Sequence, residues 1–111
     1  MAKYLYLFRG GDPEDTSPEA LQGTMQKWSA WMQGLAQKGH LSDGLPLRPE
    51  GHVVEKAGEV VHDGPFAEGS EVVGGYLLIN AESLSEAVEL SKGCPIYEDG
   101  GTTEVRECMD M

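Results

Sequence analysis

The chain has 111 residues, 40% of them apolar, and a net charge of −11 from 8 basic and 19 acidic side chains. That length suits a single domain over residues 1–111, with a modest core to which self-association would add burial. So acidic a surface repels phosphate backbones and anionic lipid, which argues against nucleic-acid and membrane partners.

The N-terminal run Met1-Ala2-Lys3-Tyr4-Leu5-Tyr6-Leu7-Phe8-Arg9 alternates like a strand and shows no secretory cleavage pattern. No apolar run approaches the roughly 20 residues of a membrane span, so a cytoplasmic location is expected. Tyr4, Tyr6 and Phe8 fall on one face of this first strand and Leu5 and Leu7 on the other. Gly10-Gly11-Asp12-Pro13 opens a polar loop. Ser17-Pro18-Glu19 then starts a helix: Ser17 caps free N–H groups, Pro18 suits the first helical position, and Glu19 complements the dipole. Leu21, Met25, Trp28, Met32, Leu35 and Ala36 trace one apolar stripe with Trp31 beside it, and Gly39 ends the helix.

A short strand is expected at 41–47. A hairpin follows, with arms at 53–56 and 59–62 around Ala57-Gly58. The longest strand falls at 72–80, where Gly74-Gly75 marks a bulge or a close backbone approach. Ser83-Leu84-Ser85-Glu86 is a capping box that opens a second helix anchored by Leu84, Ala87, Val88 and Leu90. Gly93 and Pro95 close that helix. Gly100-Gly101 precedes a last strand at 102–107.

This order predicts an α+β, ferredoxin-like split βαβ protomer, an antiparallel sheet with two helices on one face. The first strand and the long strand are apolar on both faces, with Tyr76 and Leu78 on one side of the latter and Leu77 and Ile79 on the other. Two helices cover only one face. A second copy packed sheet against sheet would cover the other, so a homodimer is expected.

The run Asp63-Gly64-Pro65-Phe66-Ala67-Glu68, the Gly74-Gly75-Tyr76 opening of the long strand and the ending Gly100-Gly101-Thr102-Thr103-Glu104-Val105-Arg106 occur in this order, after the helix start Ser17-Pro18-Glu19. With these features the chain resembles YCII-related proteins of the DGPF subgroup over roughly residues 3–107. The resemblance implies a dimeric α+β barrel and says little about activity. The broader group includes a chlorinated-hydroquinone dehydrochlorinase, and muconolactone isomerases share the fold. Some relatives are fused to, or encoded near, extracytoplasmic-function sigma factors. A His–Asp pair has been proposed as an active site in the broader group, on the first helix and after the second. Here those positions fall near Trp28 and on Cys94-Pro95, so neither group carries over.

Among the residues themselves, Asp63 can serve as a general base in a cleft shielded by Phe66, or can cap its turn by accepting backbone N–H bonds. Phe66 can stack on a planar ligand or plug an apolar seam. His62 can relay protons near neutral pH, although neighbours on a strand point to opposite faces. Trp28 and Tyr6 either belong to the core or wall a pocket between helix and sheet. Arg9 can clamp a ligand carboxylate or pair with one of the acids. His40 and His52 are expected in loops, and the histidines show no metal-ligand spacing. Cys94 and Cys108 form no framework and are expected as reduced thiols, Cys94 in a structural role, although loop closure can bring the two together. No phosphate-binding or dinucleotide pattern appears among the 15 glycines, so no cofactor is expected. Two functions follow. The first is binding of a small, aromatic or lactone-like molecule near the DGPF turn, with lyase or isomerase-type acid–base chemistry. The second is a non-enzymatic regulatory or protein-interaction module linked to sigma-factor signalling.

Overall fold

The structure, a computed structural model, describes residues 1–64 and 72–110, apart from the side chains of 60 and 62–64. Four strands build an antiparallel sheet: β1 (Ala2–Arg9), β2 (Leu41–Pro46), β5 (Val73–Ala81) and β6 (Thr102–Glu107), in the order β2-β5-β1-β6. Between β2 and β5 the chain makes a separate two-stranded ribbon from β3 (Gly51–Glu55) and β4 (Val60–Gly64), joined by a 3-10 turn at Lys56–Gly58. Helices α1 (Pro18–Gln37) and α2 (Leu84–Ser91) complete the α+β, ferredoxin-like plan. Neither helix is long and apolar enough to cross a membrane.

Alternation along the central strands decides which sheet face is covered. Tyr4, Tyr6 and Phe8 of β1 are buried, as are Leu77, Ile79 and Ala81 of β5. Both helices lie over these residues. The Tyr6 hydroxyl donates to the carbonyl of Ala87 in α2, and Tyr6 has no exposed surface. Trp31 of α1 stacks nearly parallel to Tyr6 at 6.4 Å between ring centroids and donates its Nε1–H to the Leu90 carbonyl. Trp28 meets Phe8 edge-on at 5.2 Å. These ring contacts add to the area term that draws α1 onto the sheet.

The stripe of α1 is rotated from the expected one at its N-terminal half. Leu35, Met32, Trp31 and Trp28 pack on the core, but Leu21 and Met25 are exposed, Met25 to 69%. The partly buried positions there are Ala20, Gly23 and Thr24, which continue the Leu35–Trp31–Trp28 row by helical spacing. Small side chains suffice near the helix start, and the larger pair is turned aside. In α2 the buried positions are Ala87 and Ser91, whereas the expected anchors Leu84 and Val88 lie outside.

The caps behave as their residue types demand. Ser17 Oγ accepts from Ala20 N, and Ser83 Oγ accepts from Glu86 N. Glu86 reaches back to the N–H of Glu82, one residue before the cap. Gly39 takes a positive φ of 79°, which lets its N–H and that of His40 satisfy the Ala36 and Leu35 carbonyls. Gly74-Gly75 provides both expected features. The β1–β5 register slips between Phe8 and Arg9, opposite Gly75 and Val73, leaving Gly74 as the extra residue. A Cβ at Gly75 would sit 3.2 Å from the Leu45 carbonyl oxygen. After α2 the chain makes a 3-10 turn, Pro95–Asp99, with no counterpart in the expected order. Its Ile96 is wedged against Gly11 and Gly101, where any Cβ would collide with it.

Trp31→Ala should therefore destabilise the protein by about 3 kcal/mol in urea unfolding, as expected for removing a large core aromatic. Met25→Ala should change stability by less than about 0.5 kcal/mol. Equal losses at the two positions would restore the unrotated stripe.

Candidate functional site

Asp63 stands at the root of the β3–β4 ribbon, where the chain leaves the body. The ladder there pairs Gly51 with Gly64, His52 with Asp63, Val53 with His62, Val54 with Val61 and Glu55 with Val60. Directly opposed residues share a face of a two-stranded ribbon. The pairs His52/Asp63 and Val54/Val61 thus belong to one face, and Val53/His62 belongs to the other. His62 and Asp63 are adjacent in sequence but fall on opposite faces by register, as strand alternation demands. The positional neighbour of Asp63 is His52. The sequence reading placed His52 in a loop, yet it lies within β3. The signal was available: counting outward from the turn extends the hairpin ladder until 52 meets 63. Phe66 lies outside the described residues.

The remaining candidates separate across the sheet. Tyr6 and Trp28 lie in the seam between sheet and helices, Tyr6 fully buried on β1 and Trp28 packed from α1 against the core. Arg9 follows Phe8 and so takes the opposite, open face. There Arg9 Nη1 donates to Glu104 Oε1 at 2.6 Å, the acid-pairing alternative for this residue. The pair is partly solvent-exposed, so it holds the guanidinium in place without adding much stability. Arg9 and the apolar rings therefore do not line one wall.

The open face presents Leu5 and Leu7 of β1 beside Tyr76 and Leu78 of β5, all half-buried. Leu45 of β2 pairs with Tyr76 and is 59% exposed. By register the same face carries Lys3, Arg9 and Arg106, with Asp43 and Glu104. Lys3 Nζ donates to Ser42 Oγ and Asn80 Oδ1. Cations outnumber acids on this face, in a chain with 19 acids to 8 bases.

Two open grooves lie on the helical layer. One, of about 400 Å³, runs along the outer side of α1 past Met25 and Ser29. The other, of about 490 Å³, lies between α1 and the chain after α2, and includes Lys27, Lys92, Cys94 and Tyr97. Lys27 is paired with Glu98 and Lys92 with Glu89. Burial pushes the Cys94 thiol up to about 11, so at neutral pH it stays protonated and is a poor nucleophile. Both cysteines are free. His40 joins elements through its ring Nδ1, 2.8 Å from the Asn80 carbonyl oxygen, and through its own carbonyl, which accepts from Asn80 N. Among the described residues no group of three or more His, Cys, Asp or Glu is placed to hold a metal ion.

The model of the YCII-related domain family matches residues 4–111. Among solved structures the chain is similar to 5-chloro-2-hydroxyhydroquinone dehydrochlorinase (TftG) from Burkholderia phenoliruptrix AC1100, in complex with 2,5-dihydroxybenzoquinone. The two share 18% sequence identity at a TM-score of 0.51, over 98% of this chain and 95% of that one. At that identity the likeness establishes the fold. A comparison with curated proteins found no match.

In the native protein at pH 7.5, a thiol-reactive chromophore should label half-buried Cys108 quickly and buried Cys94 only on unfolding. Because folding raises the Cys94 value, its contribution to stability is full below the unfolded thiol value and declines as pH rises toward 11. Rapid labelling of both cysteines at neutral pH would contradict the buried, protonated thiol.

Proposed function

The chain belongs to the YCII-related domain family, and on that premise we propose that it binds a small, oxygenated planar molecule at the root of the β3–β4 ribbon. Aromatic and lactone-like compounds are the favoured class. The observation that carries this reading is the register pair His52/Asp63, a carboxylic acid and an imidazole on one ribbon face. Directly opposed residues have Cβ atoms about 5 Å apart. An imidazole and a carboxylate at such spacing can exchange a proton with a bound hydroxyl or carbonyl near neutral pH. Asp63 is the base or polar anchor of this site. By register His62 lies on the other ribbon face and Trp28 packs in the helix–sheet seam, so neither belongs to this site, and Phe66 supplies its apolar wall. Such a set suits lyase or isomerase-type acid–base steps. The solved dehydrochlorinase holds a dihydroxybenzoquinone, which supports the ligand class through shared fold. The run Asp63-Gly64-Pro65-Phe66 supports placement in the DGPF subgroup, and the composition supports a cytoplasmic location.

Two copies of the chain pair through the open sheet face. Leu5, Leu7, Tyr76 and Leu78 form an apolar strip that water would otherwise cover. The surplus of cations around it lowers the repulsion that two chains of charge −11 would feel elsewhere.

A thermal-shift screen of small phenols, hydroxyquinones and lactones tests the site. Wild-type protein should show a concentration-dependent rise in Tm with at least one of them, and Asp63→Asn should abolish it. An equal shift in the variant would remove Asp63 from the site. A screen with no shift in wild type would favour the non-enzymatic interaction module. In sedimentation, wild type should run as a dimer and Leu78→Arg as a folded monomer; a monomeric wild type would remove the sheet-face pairing.

A further inference from the structure

The β3–β4 ribbon stands apart from the body that carries it. Its strands pack chiefly on each other and on the 3-10 turn between them. Val54 and Val61, opposed in the ladder, keep 60% and 58% of their surface exposed. The whole chain is flat, 45 × 43 × 18 Å, with a radius of gyration of 15.5 Å, against roughly 13 Å for a compactly folded chain of 100 residues. A two-stranded hairpin is marginal in water without a third layer. The ribbon nevertheless keeps five consecutive register pairs. Among the described residues no element covers this apolar pair.

We propose that the ribbon is an arm that seats its Val54/Val61 face on a second copy of this chain. The proposal rests on the sheet-face pairing described above and extends it. Charge selects this occupant. The ribbon carries Glu55, Glu59 and Asp63 against Lys56, so it is acidic, whereas the open sheet face carries Lys3, Arg9 and Arg106 against Asp43 and Glu104 and so keeps a net cationic charge. Geometry agrees. The chain leaves the sheet at Pro46, opposite Gly75 on the edge strand β2 and at the same end of the sheet as Arg9, so the ribbon starts at the margin of the face that pairs. An arm from that margin reaches over the rim of the copy facing it. Both arms of a two-fold dimer would do so alike, as an isologous interface requires. Because the register pair His52/Asp63 shares the face of Val54/Val61, the second copy would also close one side of the ligand site.

Isotope-filtered NMR tests this directly. Chains labelled with carbon-13 and nitrogen-15 are mixed with unlabelled chains in urea and refolded together. The methyl groups of Val54 and Val61 should then show contacts to the other copy. The Val54→Asp/Val61→Asp double variant should keep the near-ultraviolet circular dichroism of the body and raise the dimer dissociation constant at least tenfold. A dimer whose valine methyls contact only their own chain overturns the arm and leaves the sheet-face pairing intact. So does a folded double variant that dimerises as wild type does. A wild-type chain that is monomeric at every concentration overturns both.

Discussion

Everything in this structure follows from a sheet whose two central strands are apolar on both faces while α1 and α2 cover only one of them. Tyr4, Tyr6, Phe8, Leu77 and Ile79 take the helices. Leu5, Leu7, Tyr76 and Leu78 are left with the other side. The helical side is held by more than area: the Tyr6 hydroxyl reaches Ala87 and the Trp31 indole reaches Leu90, so both rings have their polar atoms satisfied on α2. That satisfaction lets large aromatic groups sit in the seam without an unpaired donor. The seam then fixes which side of the sheet remains open.

The same constraint separates the chemistry from the core. Tyr6 and Trp28 are bound into the helix–sheet seam, whereas Arg9 and the ionic margin lie across the sheet from them. The ribbon, attached at that margin, is where a carboxylate and an imidazole occur at one register level. A site built there owes its position to backbone pairing in the ribbon rather than to the packed core. Such placement is common for binding residues, which sit on projecting segments held by a rigid scaffold.

Much of this was legible from residue order. The Ser17 and Ser83 caps, the Gly39 stop, the slip at Gly74-Gly75 and the final strand at Thr102–Glu107 are local signals, read from a few neighbouring residues. What escaped depends on partners distant in sequence. Leu21 and Met25 fit a helical stripe as well as Ala20 and Thr24 do; only the position of the sheet chooses between them. Leu84 and Val88 look like anchors until Ala87 is placed under the Tyr6 hydroxyl. The 3-10 turn at Pro95–Asp99 is stabilised by Ile96 filling the space beside Gly11, 85 positions earlier in the chain. Of the candidate residues, Asp63 and His62 could be singled out by residue type. The pairing of Asp63 with His52 needed a ladder that runs one step beyond the apolar residues of the hairpin.

The two tryptophans have a further consequence. Trp28 and Trp31 are the only indoles in the chain, one helical turn apart, with ring centroids 5.8 Å from each other and planes at 79°. Both lie in the seam between α1 and the sheet, on the side away from the open face. Intrinsic emission from this protein is therefore a reporter of the helical layer, with strong coupling between two neighbouring chromophores. Events on the ribbon or on the open sheet face occur out of its sight, and following them by light would require a chromophore placed there.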